Sequence, residues 1–149
     1  MEKTINLGVI GIDHGHIFDM LDEMLKEGCT CDYFWTEGEP LTLKEFNSKY
    51  PNIKRKENKK EILNDPSIDM ILISSVPKDR AYNSIEALKA GKDVMVDKPG
   101  CTTLDQLNQL KQTVKETGKI WSVNFSERFH VAAVAKAEEL VAGGKIGKV

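Results

Sequence analysis

The chain has 149 residues and a formal net charge of −2, with 40% hydrophobic and 30% charged residues. This is the length of one domain, and its apolar content is sufficient for a single buried core. The densest basic run, residues 54–60, has no aromatic residue between its charges, so we expect a solvated face there and no nucleic-acid partner. No apolar segment approaches the roughly 20 residues of a membrane span, and the opening residues MEKTIN lack the hydrophobic region of a signal peptide. The sequence therefore predicts a cytoplasmic protein that does not enter a membrane.

The cysteines support the same compartment. Cys29, Cys31 and Cys101 are odd in number and too few for a disulfide framework, so we expect reduced thiols. Cys29 and Cys31 are separated by one residue, which is a poor spacing for zinc.

The stretch from Thr4 to His16 predicts a strand that turns directly into a helix. Residues 5–12 are rich in β-branched apolar side chains, which is typical of a strand buried on both faces. Residues 17–25 carry apolar side chains at helical spacing. Because the first N–H groups of such a helix point outward and its dipole favours an anion, the turn predicts a site for a pyrophosphate.

The glycine pattern of this turn is incomplete. A G-x-G-x-x-G loop that starts at Gly11 requires glycine where this chain has Asp13 and His16. The Asp13 carboxylate is the more serious departure because it is bulky and repels a diphosphate. We expect Gly15, one place away from the third glycine position, to relieve part of the crowding.

Beyond this turn, strands and helices alternate with short connections. Asn58 and Thr103 are expected to cap helices, Pro77 to begin one, and Gly118 to follow the end of one. Alternation of this kind predicts an α/β fold with a doubly wound parallel sheet, the Rossmann architecture, in the strand order 3-2-1-4-5-6. The predicted helices cover residues 15–26, 43–50, 59–64, 77–90, 104–117 and 131–142, and the later strands cover 31–35, part of 52–58, 69–74, 93–97 and 120–125.

In such a sheet, ligands bind at the carboxyl ends of the strands where the strand order reverses. Glu37 lies about 25 residues beyond Gly11, where an acid that binds the adenosine ribose is expected. Glu37 would accept hydrogen bonds from the ribose hydroxyls and repel a 2′-phosphate, so NAD is favoured slightly over NADP. This preference weakens if Thr36 occupies the position. The predicted cofactor-binding residues at these strand ends are Gly11, Ile12, Asp13, His14, Glu37, Ser74, Ser75, Pro77, Asp97 and Lys98.

Four segments together resemble a known family: VIGIDHGH, IDMILISSVP, ALKAGKDVMVDKPG and FSERFHVAAVAKAEELVAGGKIGKV. In this order and spacing they are similar to the amino-terminal half of the glucose-fructose oxidoreductase, inositol dehydrogenase and MocA family. The segment AGKDVMVDKP resembles the family signature that ends in Glu-Lys-Pro, with Asp97 in place of the glutamate.

The resemblance implies that Lys98 is the catalytic residue, which lies beside the nicotinamide and assists proton transfer as an alcohol becomes a ketone. It implies a small-molecule substrate, a sugar, inositol or related compound, with NAD or NADP as cofactor. Asn124 and Arg128 resemble positions that line the cofactor cleft, whereas Arg80 falls where many relatives have a histidine.

Family members generally carry a second α+β domain with an antiparallel sheet, and we expect that domain to be absent from these residues. We expect residues 1–125 to form the dinucleotide-binding domain and residues 126–149 to form a helix and linker that lead toward the missing domain. If the chain is a fragment, Val131, Val134, Leu140 and Val141 should leave apolar surface bare. Homo-oligomer formation is an expected consequence.

Two alternatives stay open. One is a non-catalytic Rossmann module for binding or regulation that has lost its cofactor, which the missing glycines favour. In the plain interpretation of the turn itself, Asp13 and His14 make turn hydrogen bonds and His16 starts the helix. The other is a metal-dependent hydrolase in which His14 and His16 bind the metal. That chemistry needs more His and Asp ligands and usually a barrel of about 250 residues, so we expect no metal site.

Overall fold

The computed structural model describes residues 4–126 and 131–147 and contains one six-stranded sheet. The strand order is β3-β2-β1-β4-β5-β6 and every neighbouring pair is parallel, so the predicted topology is confirmed. The strands are β1 Asn6–Ile12, β2 Thr30–Trp35, β3 Lys54–Arg55, β4 Met70–Ser74, β5 Asp93–Asp97 and β6 Trp121–Asn124. The helices are α1 His16–Lys26, α2 Leu43–Lys49, α3 Lys59–Leu63, α4 Pro77–Lys89, α5 Leu104–Thr117 and α6 Ala132–Ala142.

The central strands alternate their side chains between two apolar layers. Val9 of β1 packs into a cluster with residues of α1 and α2, such as Leu21 and Phe46. Ile10 points to the opposite cluster with residues of α3, α4 and α5, such as Leu88. Burial of each such side chain stabilises the fold by about 1.5–3 kcal/mol, so helices as short as α2 and α3 are held by the sheet and not by propensity.

The helix ends agree closely with the sequence signals. The side chains of Asn58 and Thr103 accept hydrogen bonds from the backbone of α3 and α5, and each belongs to a complete capping box. Pro77 begins α4, and Gly118 ends α5 in the left-handed conformation with φ of 66°.

The buried face of α5 differs from its apolar pattern. The helical spacing of Leu104, Leu107, Leu110 and Val114 predicts one apolar face, but Leu104 is 78% exposed, whereas Gln106, Leu110 and Thr113 are buried. Gln106 accepts hydrogen bonds from backbone amides at the start of the helix. This contact holds its side chain inward and centres the packed face on residues 106, 110 and 113.

The end of the chain exposes apolar side chains, as the sequence predicts. Val131 and Val141 of the α6 region are each 42% exposed, Leu140 is 37% exposed, and Val134 is half-buried. Within the described ranges, every helix is too short or too polar to cross a bilayer.

Candidate functional site

The site lies at the carboxyl edge of the sheet, between the neighbouring strands β1 and β4. The strand order reverses here, since β2 and β3 follow on one side of β1 and β5 and β6 on the other side of β4. Gly11 has a φ of 76°, and a Cβ atom there would lie 2.4 Å from the Cβ of Ser75. Only glycine fits this close approach between the two strand ends. Gly15 has a φ of −62° and open space around it, so the surrounding protein does not require glycine at this position.

One side of the crevice, between the ends of β2 and β4, is an open cleft of about 180 Å³. Glu37 lies in its wall and is exposed, whereas Thr36 is 2% exposed and points into the protein. Of the two candidates for the ribose acid, the structure therefore brings Glu37 to the cleft. The lining residues are Gly11, Asp13, Trp35, Glu37, Lys59, Ser75, Val76, Asp79, Tyr82 and Asn83.

Asp13 gives this cleft a negative wall. Partial burial raises the pKa of its carboxyl, and Asp79 and Glu37 raise it further, although a hydrogen bond from its own backbone opposes the shift. The cationic lining residue Lys59 pairs with Glu86 and donates to Asn83 Oδ1 over 3.1 Å.

The other side of the crevice, toward β5, contains a cluster of four polar side chains, His14, His16, Arg80 and Asp97, which we call the crevice cluster. Asp97 has no exposed surface. Its Oδ1 lies 2.8 Å from His16 Nδ1, and its Oδ2 lies 2.8 Å from Arg80 Nη2 and 3.5 Å from His14 Nδ1. A buried carboxylate is thus neutralised by a guanidinium and orients an imidazole.

Arg80 also joins the ends of the two strands. Its Nε donates to the Ser75 carbonyl over 2.7 Å, and its Nη1 donates to the carbonyl of Lys98. Burial lowers the pKa of Arg80, the charge of Asp97 opposes this, and an arginine remains protonated. Arg80 therefore fixes the backbone of Lys98 beside Asp97.

Sequence reasoning noted Arg80 only as a departure from the family pattern. A signal was available, because Arg80 lies on the same face of α4 as Ser84, Ala87 and Leu88, all of which are buried. A charge on an apolar helix face requires a buried partner.

The turn itself uses several of its own amides. His14 N–H donates to the Ser74 carbonyl and Ile17 N–H donates to the His14 carbonyl, each over 3.2 Å. His16 N–H donates to the Nδ1 of His14, also over 3.2 Å. The two imidazole rings pack edge to face with centroids 4.3 Å apart. His14 thus contributes both its carbonyl and its ring nitrogen to the hydrogen bonds of the turn.

The remaining predicted residues are placed differently. Ile12 has a fully buried side chain, so that side chain belongs to the core and not to the cleft. The Ser74 hydroxyl is buried and donates to the His14 carbonyl, and Ser75 Oγ accepts from Asn83. Pro77 is exposed at the first position of α4 and does not line the cleft.

Asn124 lies on the far side of the sheet edge from the cleft. It is the partner of Asp97 in the β5–β6 register and borders a separate hollow beside α1 that includes Met20 and Met95. Lys98 follows Asp97 directly and is half-buried before a cis peptide bond to Pro99. Arg128 lies outside the described residues.

Three potential metal ligands lie at the same place. Ligand atoms of His14, His16 and Asp97 are within 4.8 Å of one another. Arg80 already pairs with the carboxylate and adds positive charge beside it. The hydrolase alternative gains no fourth ligand from the described residues and is not favoured.

A doubly wound parallel sheet with a glycine-dependent crevice at its switch point defines a nucleotide-binding Rossmann domain. Residues 5–125 match the sequence model of a protein family that is described as the oxidoreductase family, NAD-binding Rossmann fold. The chain belongs to this family, as the sequence resemblance predicts.

Individual relatives agree with this assignment. An uncharacterised oxidoreductase, YdgJ of Escherichia coli, is 35% identical over 156 aligned positions, covering all of this chain and 42% of the relative. The scyllo-inositol 2-dehydrogenase (NAD⁺) of Bacillus subtilis is 36% identical over 88 residues, which cover 59% of this chain and 25% of the enzyme. A crystal structure of an oxidoreductase from Erwinia carotovora matches with a TM-score of 0.85 and 33% identity, over 95% of this chain and 42% of that one. The chain spans less than half the length of these relatives.

Proposed function

We propose that this chain is the cofactor-binding part of an NAD(P)-dependent oxidoreductase that acts on a sugar, polyol or related hydroxy compound. The observation that supports the proposal is the contact that fixes the Lys98 backbone. Arg80 holds its carbonyl at the edge of the crevice, next to the buried Asp97. We infer that the enzyme acts in the cytoplasm, in line with its three free cysteines.

The glycine at the end of β1 fits a dinucleotide. The cradle at Gly11, which a Cβ atom would fill, lets a ligand approach the backbone between β1 and β4. In this proposal the adenosine ribose lies in the cleft beside Glu37 and Ser75, and the diphosphate crosses the start of α1. Glu37 is free to accept from ribose hydroxyls and would repel a 2′-phosphate, which supports a preference for NAD.

The chemistry of Lys98 follows from its charge. A bound nicotinamide would supply the acceptor or donor of a hydride. The Lys98 ammonium would stabilise the alkoxide that develops when a substrate hydroxyl loses its proton, and such stabilisation by a positioned group accelerates the chemical step. Substrate specificity would depend largely on residues beyond those in this chain.

Titration of the protein with NADH, followed by energy transfer from tryptophan to the nicotinamide, tests the cofactor site. Saturable binding that ADP-ribose competes away is expected. The absence of binding at about 1 mM NADH, the upper end of ordinary KM values, would overturn the proposal.

The role of Lys98 needs a protein of the length of its relatives and a panel of inositols and sugars. Lys98→Met is expected to lower kcat by about 100-fold or more and to leave NADH binding unchanged. Equal losses in NADH binding and turnover would instead assign Lys98 to cofactor binding alone.

A further inference from the structure

The start of α1 poses a problem for a diphosphate. Anions at this place in a Rossmann fold bind the first free amides of the helix. Here the N–H group of His14 donates to the Ser74 carbonyl, and those of His16 and Ile17 donate to the ring and the carbonyl of His14. Fewer amides are therefore left for a diphosphate, and a further hydrogen-bond donor at the same place would strengthen its binding.

The hydrogen bond at His14 identifies that donor. Nδ1 of His14 lies 3.2 Å from the His16 N–H in hydrogen-bond geometry, whereas its distance of 3.5 Å from Asp97 Oδ2 is beyond the roughly 2.7–3.2 Å of an ordinary hydrogen bond. An Nδ1 that accepts carries no proton, so we infer that the proton of the neutral ring is on Nε2. Nε2 lies on the opposite side of the ring from Nδ1, and the side chain is 53% exposed. The ring thus accepts the hydrogen bond of the helix amide at Nδ1 and keeps an N–H group at Nε2, in a side chain that is half exposed at the start of α1.

The surroundings hold this ring in place. His16 is anchored by its Nδ1 contact of 2.8 Å to Asp97, and Asp97 is anchored in turn by Arg80. The His14 backbone is fixed by Ser74, which accepts from its N–H and donates to its carbonyl. A donor that is already positioned loses little conformational entropy when it binds a ligand.

We propose that His14 binds the cofactor diphosphate through Nε2–H and replaces the amides that a glycine loop would supply. This inference rests on the proposed function, and it deepens it by assigning phosphate recognition to a side chain. His16, Asp97 and Arg80 act as positioning residues. The opposite interpretation, in which the His14 ring covers the helix amide and blocks the cofactor, predicts effects of opposite sign.

Three substitutions of His14 separate these interpretations. Asn keeps an acceptor near the position of Nδ1 but has no donor at Nε2, Gln places an amide N–H near Nε2, and Ala removes the ring. A hydrogen bond to a charged group contributes about 1.5–3 kcal/mol, so His14→Asn and His14→Ala should weaken NADH binding about 10-fold to 100-fold. His14→Gln should stay within about threefold of the wild type, since a charge-assisted contact is retained.

Adenosine, which has no phosphate, is the control ligand, and its affinity should not change in any variant. Unchanged or tighter NADH binding in His14→Ala, with wild-type binding intact, would overturn the inference and leave the proposed function standing. Failure of the wild type to bind NADH would overturn both.

The tautomer of His14 can be tested in the wild-type protein, so this test needs no variant. Two-bond ¹H–¹⁵N correlation spectra of the wild type should show the His14 proton on Nε2 and an unprotonated Nδ1. A proton on Nδ1 in the neutral ring would overturn the inference, because Nε2 would then have no hydrogen to donate.

Discussion

The two sides of the crevice are built in different ways. The side toward β2 is an open cleft whose walls carry Glu37 and Asp13, and its form follows from the topology of the sheet. The side toward β5 is filled by the crevice cluster, in which Asp97 contacts His16 and Arg80 at 2.8 Å each. The β2 side has few internal contacts and leaves room for a ligand. The β5 side uses its internal contacts to position the groups at its rim.

The difference shows where stability and function are coupled. A change on the β2 side alters what the cleft can bind and exposes no buried charge. Removal of Arg80 from the crevice cluster leaves the buried Asp97 carboxylate without its partner, and the whole domain bears that cost.

The largest effect is expected for Arg80→Met. It leaves the fully buried Asp97 without its guanidinium, and loss of one partner of a buried pair costs about 3–5 kcal/mol. Urea unfolding measures this loss. Addition of Asp97→Asn to Arg80→Met should recover a substantial part of the stability. If the stability losses of Arg80→Met and Asp97→Asn simply add in the double variant, the two side chains are not directly coupled.

The sequence was sufficient for the fold because the fold rests on local signals. Alternating strands and helices, the caps at Asn58 and Thr103, and the apolar runs of β1 and β4 fix the topology, and all of them can be read over short windows. The side of the crevice toward β5 could not be predicted in the same way. The contact between His16 and Asp97 spans 81 residues of sequence, and no periodicity marks it.

Two features of the site can nevertheless be predicted from the sequence. Gly11 is required by the approach of Ser75, and the choice between Thr36 and Glu37 depends on the alternation of side chains at the end of β2. The missed role of Arg80 shows the limit of a reading based on motifs. Its importance comes from where α4 places it and not from any signature of its own.

The second largest effect is expected for Gly11→Ala, which lies where the two sides meet. An alanine there combines a φ of 76° with a Cβ atom 2.4 Å from that of Ser75, so we expect a loss of about 2–3 kcal/mol in unfolding free energy. Gly15→Ala is the matched control, since its φ is −62° and its surroundings are open, and it should change stability by less than about 0.5 kcal/mol. Similar losses in the two variants would contradict the geometry of the turn.

Glu37 tests the β2 side alone. Glu37→Ala removes the proposed acceptor for the ribose hydroxyls and the charge that repels a 2′-phosphate. The ratio of NADPH to NADH affinity should therefore rise about 10-fold, which corresponds to about 1.4 kcal/mol. Glu39→Ala is the control, because Glu39 is an exposed neighbour that pairs with Arg55. A ratio that changes equally in both variants would remove Glu37 from the ribose site.

The smallest effect is expected for Asp13→Asn. Burial and neighbouring acids raise the pKa of the Asp13 carboxyl above its ordinary value of 3.8, so its ionised form is less favourable in the folded protein than in the unfolded chain. The wild type therefore loses stability as pH rises from below 3.8 through this raised pKa, and Asp13→Asn does not. At pH 7 the variant should be more stable by less than about 0.5 kcal/mol, because the residue is exposed.

Urea unfolding of both proteins between pH 4 and pH 7 measures this difference, which should shrink toward the acid end of the range. The same variant should bind NADH severalfold more tightly at pH 7, because a carboxylate beside the diphosphate no longer repels it. A stability difference that is constant with pH would mean that the charge of Asp13 is not its cause. Weaker NADH binding in the variant would mean that Asp13 contacts the cofactor. Asp13 on the β2 side would then bind the cofactor directly, as we propose for His14 on the β5 side.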